Sequence, residues 1–241
     1  MNTKEKNEEH AVVLCGHGSR NQKYLNDFLH LEKKINLQFK SAKIYHCFIE
    51  INRPSIEECL NNLIKTYKKI FFFPLLLFEG KHLVKDIQGQ LEKLSKNTRS
   101  EIILIDKVSL TKEILPKISG ILSKYFRKKN FDILITSCSK SVNRQVSNEL
   151  KLYTETLSRM TSININFFHF VGEEEYILQK IKEFENKSIN ILLHPIFFFK
   201  GYLYEKNIKN ISNLFKITCL KPLSHYDEVV NIITRKLISR I

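Results

Sequence analysis

Three side chains suited to metal and proton chemistry each stand just beyond an apolar run. His17 lies between two glycines in "LCGHGSR", directly after "AVVL". Glu50 closes the run in "CFIEINRPS", and His82 follows "FFFPLLLF" in "FEGKHLVKDI". Two imidazoles and a carboxylate form a ligand set that suits zinc, iron, cobalt or nickel, with positions left open for an exchanging ligand. A neutral imidazole is also the group best tuned to take a proton near neutral pH. Taken singly, each residue has a plainer use. A histidine in a glycine-flanked turn can cap a helix or hold a water, and Glu50 precedes a helix starting near Pro54, where negative charge is favourable. Their common place past three apolar runs is what points to a site. Ser19 and Arg20, in the same turn as His17, can hydrogen-bond a carboxylate, Arg through its planar fork. Gly18 and Gly80, beside the two histidines, complete the expected substrate-binding group.

The elements that must hold these residues alternate in type. "AVVL" reads as a strand, and the segment after it carries Tyr24, Phe28, Leu31 and Ile35 at helical spacing. "AKIYHCFI" reads as a second strand, followed by a helix with Ile56, Cys59, Leu60, Leu63, Ile64 and Tyr67 on one face and Pro54 in its first turn. "KKIFFFPLLLF" is apolar throughout, as a strand covered on both sides would be, with Pro74 marking a bulge or strand end. A helix around "LVKDIQGQLEKL" and a strand "EIILID" complete the unit. Alternation of this kind predicts a parallel α/β sheet, whose ligands gather beyond the carboxyl ends of the strands. His17, Glu50 and His82 fall there.

The order then restarts with "FDILITSCSKS", a helix, "ININFFHFV", a helix, "INILLHPIFFFKG" and "KITCL". An offset of 121 residues carries Pro74 onto Pro195, Gly80 onto Gly201 and Ile87 onto Ile208. The repeat predicts an α/β protein of two similar domains, each a mostly four-stranded parallel sheet flanked by helices, related by internal duplication. A polar tail would occupy residues 1–10, a first domain with the metal site 11–128, and a second domain 129–241. At the same offset His17 becomes Cys138, Glu50 becomes Val171 and His82 becomes Leu203. The proline and glycine of the scaffold persist while all three candidate ligands are gone, so the ligands are expected to serve a site and not the fold.

Composition narrows the classes further. The chain has 241 residues, 43% of them hydrophobic, which suits an ordinary globular protein. Five cysteines without a CxxC pair make poor material for a disulfide framework or a structural zinc site, and imply a reducing compartment. The longest apolar run, "IFFFPLLLF", is far short of a membrane-crossing helix, and "MNTKEKNEEH" has no signal-peptide character. The expectation is a soluble cytoplasmic protein with neither membrane nor nucleic acid as partner; the sequence leaves its oligomeric state open, a monomer being plausible. The net charge of +14 is spread over helix-like segments with no concentrated basic patch, and an acidic small molecule would be drawn to it.

"GHGSR", "FIEINRPSIEECL" and "PLLLFEGKHLVKDI" together resemble the class II tetrapyrrole chelatases, in particular the two-domain sirohydrochlorin cobaltochelatase family. "HPIFFFKGYLYEKNI" extends the resemblance into the second copy, while "TSCSKSVNR" departs from the glycine-rich turn often seen there. The resemblance implies two chelatase-type domains with a tetrapyrrole held between them. It also implies a divalent metal, Co2+ or Fe2+, as substrate with no organic cofactor, and His17 and His82 as the metal-handling pair. A metal or tetrapyrrole carrier without insertion activity is the alternative that this reading leaves open.

Overall fold

The computed structural model describes residues 9–241 except 79–80, 97, 127–129, 184–188 and 214, and omits the side chains of 81–85 and 125–126. The first sheet contains β1 (His10–Gly16), β2 (Lys43–Phe48), β3 (Lys69–Pro74) and β4 (Glu101–Leu104), all parallel, in the order β2-β1-β3-β4. The second contains β5 (Ile133–Cys138), β6 (Ile165–Phe170), β7 (Ile191–Pro195) and β8 (Ile217–Cys219), parallel again, in the matching order β6-β5-β7-β8. Parallel strands need crossovers, supplied by α1 (Gln22–Gln38), α2 (Ile56–Leu63) and α3 (Lys81–Ser95) in the first copy. α5 (Arg144–Thr161), α6 (Glu175–Lys182) and α7 (Tyr202–Ser212) do the same in the second. A π-helical turn at Leu110–Ile114 runs into α4 (Leu115–Phe126), and α8 (Asp227–Ile238) follows a short 3-10 turn at Leu223–His225.

The predicted stripe holds: Tyr24, Phe28, Leu31 and Ile35 are the buried residues of α1, whose N-terminus is capped by Asn21. Phe28 meets Phe48 of β2 with ring centroids 4.9 Å apart, which sets α1 on one face of the sheet. On the other face Ala11, Val13, Cys15, Ile70 and Phe72 pack with Ile56, Leu60 and Leu63 of α2 and with Ile87 and Leu91 of α3. α2 begins at Ile56, with Ser55 as cap and Glu58 completing a capping box, so Pro54 precedes the helix and does not form its first turn. Pro74 ends β3, where no further ladder donor is required.

The chain divides into two compact units, one of residues 1–108 and 230–241, the other of 109–229. Sequence order alone divides the copies near residue 129, but α4 groups with the second sheet, and most of α8 groups with the first. Each copy thus receives its last helix from the far end of the other copy's sequence.

The strand registers also refine the alignment of the copies. Cys15 pairs with Cys47 and with Pro74; Ser137 pairs with His169 and with Pro195. The Ile49 amide donates to the Gly16 carbonyl as the Val171 amide donates to that of Cys138. Asn21 caps α1 as Asn143 caps α5, and Ser19 Oγ accepts from Asn21 as Ser141 Oγ does from Asn143. Through the first two strands the offset is therefore 122, and it becomes 121 at Pro74 because the second copy is one residue shorter between its second and third strands. The counterpart of His17 is Ser139, not Cys138, and that of Glu50 is Gly172, not Val171. His82 still corresponds to Leu203.

Candidate functional site

The first sheet ends in two loops stitched to each other. Beyond the last residue of β2, the Ile49 amide donates to the Gly16 carbonyl and the Glu50 amide to the His17 carbonyl, both at 3.0 Å. These two bonds extend the β1–β2 ladder into the loops and bring two residues far apart in sequence side by side. The Ser19 amide donates to Asn52 Oδ1 at 2.7 Å, and the Gly18 amide to the Tyr24 hydroxyl at 3.1 Å. Gly18 is required here twice over. Its φ is +101°, and a Cβ at this position would stand 1.9 Å from the Glu50 carbonyl oxygen. Ile51 completes the turn at φ 67°, a conformation that β-branched residues rarely adopt.

In this frame His17 Nδ1 lies 3.1 Å from Glu50 Oε1, with both side chains about half exposed. A carboxylate only accepts, so in the neutral ring the nitrogen facing it carries the proton and Nε2 keeps its lone pair. Such an outer carboxylate fixes the tautomer and orientation of the imidazole. Ser55 and Glu58 cap α2, and the Glu50 carboxylate faces His17. With the His17 side chain about half exposed, Nε2 of the neutral ring can bind a metal or accept a proton from a ligand.

The other expected residues are placed unevenly. Ser19 Oγ accepts from the Asn21 amide at 3.1 Å, leaving its own proton to donate outward, and Arg20 is exposed beside it. His82 is the second residue of α3, past the end of β3, and its side chain lies outside the described residues. Gly80 lies outside them altogether. Among the described residues no three of His, Cys, Asp and Glu gather into a metal cage. The structure thus brings His17 and Glu50 together.

Sequence reasoning missed Asn52 and Tyr24. Asn52 sits inside a stretch read for its glutamate and proline. Tyr24 reads only as part of an apolar stripe, although its hydroxyl anchors the loop. Burial pushes the Tyr24 phenol up to about 12, so it stays neutral while accepting from Gly18. Two other histidines, His46 and His194, are used elsewhere. His46 Nδ1 meets Glu32 at 3.0 Å against the rings of Phe28 and Phe48, lower down the sheet. His194 is fully buried against the Tyr153 hydroxyl at 2.9 Å, and burial pulls its pKa down to about 3. Cys15, Cys47 and Cys59 belong to the core below the site. Burial and mutual contact push the Cys47 and Cys59 thiols up, so they remain protonated and are poor ligands.

Two sheets of four parallel strands in this matching order give the chain the two-copy fold of the solved chelatases compared below. Residues 11–118 match the family model CbiX, and the chain as a whole shares the fold of the solved structures named below. SirB from Bacillus subtilis, solved with Fe3+, superimposes with a TM-score of 0.79 at 15% identity, covering 95% of this chain and 94% of that one. The sirohydrochlorin chelatase SirB from the same species, in complex with cobalt, gives 0.77 at 16% identity over 95% and 94%. CbiX, the terminal enzyme for biosynthesis of siroheme in denitrifying bacteria, gives 0.70 at 10% identity over 96% and 99%. No curated protein matches the sequence. Among the described residues no helix is long and apolar enough to cross a membrane.

Proposed function

We propose that this protein inserts a divalent metal into sirohydrochlorin. The observation that carries this reading is the His17–Glu50 pair, 3.1 Å apart at an open strand end, with the second imidazole nitrogen left as a lone pair. Insertion removes two pyrrole N–H protons from the macrocycle while the metal exchanges water for ring nitrogens. His17 Nε2 accepts a proton or holds the metal during that exchange, and Glu50 stabilises the charge that builds on the ring. His82 is the second metal-handling residue of this account. Ser19 and Arg20, with Gly18 and Gly80 beside them, meet the substrate's carboxylates. Holding metal and macrocycle together removes much of the entropic barrier. The net charge of +14 favours capture of a carboxylate-rich substrate.

Cobalt is the metal placed first and iron second, serving cobalamin or sirohaem synthesis in the cytoplasm. The family match over residues 11–118 and the shared fold support the reaction class. The test is an insertion assay on the purified protein with sirohydrochlorin and cobalt, iron or nickel in turn, followed by absorbance. Catalysed turnover with cobalt or iron is expected. Binding of metal and macrocycle with no acceleration over the uncatalysed rate would make the protein a carrier and overturn the proposal.

A further inference from the structure

Each sheet of this protein has two edge strands, β2 and β4 in the first and β6 and β8 in the second. An edge strand offers unpaired amides and carbonyls to any other strand, and proteins blunt such edges by keeping them short or charged. Three of the four are blunted in this way. β4 and β8 have four and three residues, and Glu101 of β4 pairs with Lys69. β2 opens with the exposed Lys43 over the Tyr45 ring, and its His46 is held by Glu32. β6 has six residues, Ile165–Phe170, with no charge, no proline and three phenylalanines among them.

The neighbouring sequence departs from the rest of the chain in the same way. Although 27% of all residues are charged, positions 160–172 hold thirteen in succession without Asp, Glu, Lys or Arg. The only other such run longer than ten residues, 188–199, contains β7, which lies inside its sheet between β5 and β8. β6 thus has the composition of an interior strand at the position of an edge. Five of its six residues are half-buried, whereas β7 is buried throughout. Beside its start a recess of about 580 Å3 is lined by Glu155 and Arg159 of α5 together with Asn164 and Asn166, so this stretch of the strand stands open.

We propose that β6 pairs with β6 of a second copy of this chain, antiparallel, about a two-fold axis normal to the sheet. The complement of this edge is an uncharged strand of the same length, and among the described edge strands only β6 itself has that character. A two-fold contact uses each edge once and closes, so it makes a dimer and not a fibre. The axis also keeps each row of side chains on its own face. Asn166, whose amide donates to Ser158 of α5, shares a face with Phe168 and Phe170. Ile165 and Phe167, which pack in the cluster of Ile177 and Ile211, share the other with His169. With the axis at Phe167 or Phe168, phenyl rings meet across the paired strands, a favourable combination. β6 belongs to the unit without His17 and Glu50, so this contact does not depend on the chelatase reading.

Sedimentation velocity and light scattering on the full chain should show a species of twice the chain mass growing between about 1 and 100 µM, as suits a contact smaller than a standard interface. Phe168→Lys, which sets two like charges near the axis, should raise the dimer Kd at least about 10-fold. Asn164→Lys, at an exposed position just before the strand, disturbs no packed side chain and should act in the same direction; thermal melts verify the folding of both. Hydrogen exchange at β6 amides should slow at the high concentration, with β2 unchanged. A monomer over the whole range overturns the proposal, as does a dimer whose Kd is the same in the folded lysine variants. Open-ended growth past the dimer overturns it too. Loss of the dimer with Leu152→Ser or Met160→Ser, exposed apolar residues of α5, while β6 exchange stays constant, would place the contact on the helix and overturn it equally.

Discussion

Replacing Gly18 with alanine tests the stitched-loop geometry most severely for the smallest chemical change. One methyl group must enter at φ +101°, where left-handed or rarer backbone costs a non-glycine residue about 1–3 kcal/mol. That methyl would also stand 1.9 Å from the Glu50 carbonyl oxygen. Relieving the contact to ordinary separation moves one loop against the other by roughly 1 Å, and the obstacle is backbone, not a flexible side chain. The Glu50 amide bond to His17 and the carboxylate contact with the ring both depend on that spacing. A displacement of this size is capable of costing about 100-fold in rate. Gly18→Ala should therefore lower stability by about 2–4 kcal/mol in urea unfolding, given strain plus clash, and lower single-turnover insertion about 100-fold. Gly172 supplies the control: it stands where the first copy has Glu50, its φ is +98°, and nothing lies within 4 Å of an added Cβ. Gly172→Ala should show the strain alone, with insertion nearly unchanged. Equal effects of the two variants on insertion, or a fully active Gly18→Ala protein, would refute the close approach as the reason for this glycine.

Other consequences are as direct. Asn52→Ala removes the acceptor of the Ser19 amide and should slow insertion several-fold with little change in melting temperature, because the bond lies in a surface loop. Cys138→Ala should leave insertion intact, since Cys138 is the counterpart of Gly16 and its buried thiol is pushed up and stays protonated; loss of insertion in a folded variant would move metal chemistry into the second copy. Burial lowers the pKa of His194 to about 3, so below pH 6.5 the unfolded chain takes up a proton that the native state refuses. The contribution of His194 is complete above that value and is lost as pH falls from about 6.5 toward 3, by up to about 1.4 kcal/mol per pH unit. His194→Phe, which installs the residue of the first copy at Phe73, should flatten the pH dependence of unfolding between pH 7 and 5 by about that slope; an unchanged slope would show that His194 is not held neutral.

The alternation of strands and helices, the buried stripe of α1 and the restart of the pattern in the second half were all legible in the sequence, because each rests on local periodicity. The register of the repeat was legible only where proline and glycine anchor it. Pro74 and Pro195 both lie after the one-residue contraction, so an offset read from them misplaces the partners of His17 and Glu50 by one residue. A single residue decides whether Cys138 stands at a metal site or under a glycine's backbone. The grouping of α4 and α8 was not legible, since nothing local marks a helix as serving the other copy. Asn52 escaped for the same reason: its value lies in a bond to an amide of a different loop, which exists only once both loops have folded. Tyr24 escaped because its place in the apolar stripe accounts for its ring and says nothing of the hydroxyl, which accepts from the Gly18 amide just before the helix.

The most direct measurement of the central claim is single-turnover insertion of cobalt into sirohydrochlorin by wild type, His17→Ala, His82→Ala and Glu50→Gln, each shown to be folded and saturated with metal. The account predicts at least about 100-fold slower insertion for either histidine variant, a loss of roughly 2.7 kcal/mol in barrier terms. It predicts a smaller loss for Glu50→Gln, whose amide still offers an oxygen to His17 Nδ1 but no charge. Near-normal insertion by His17→Ala would contradict the account.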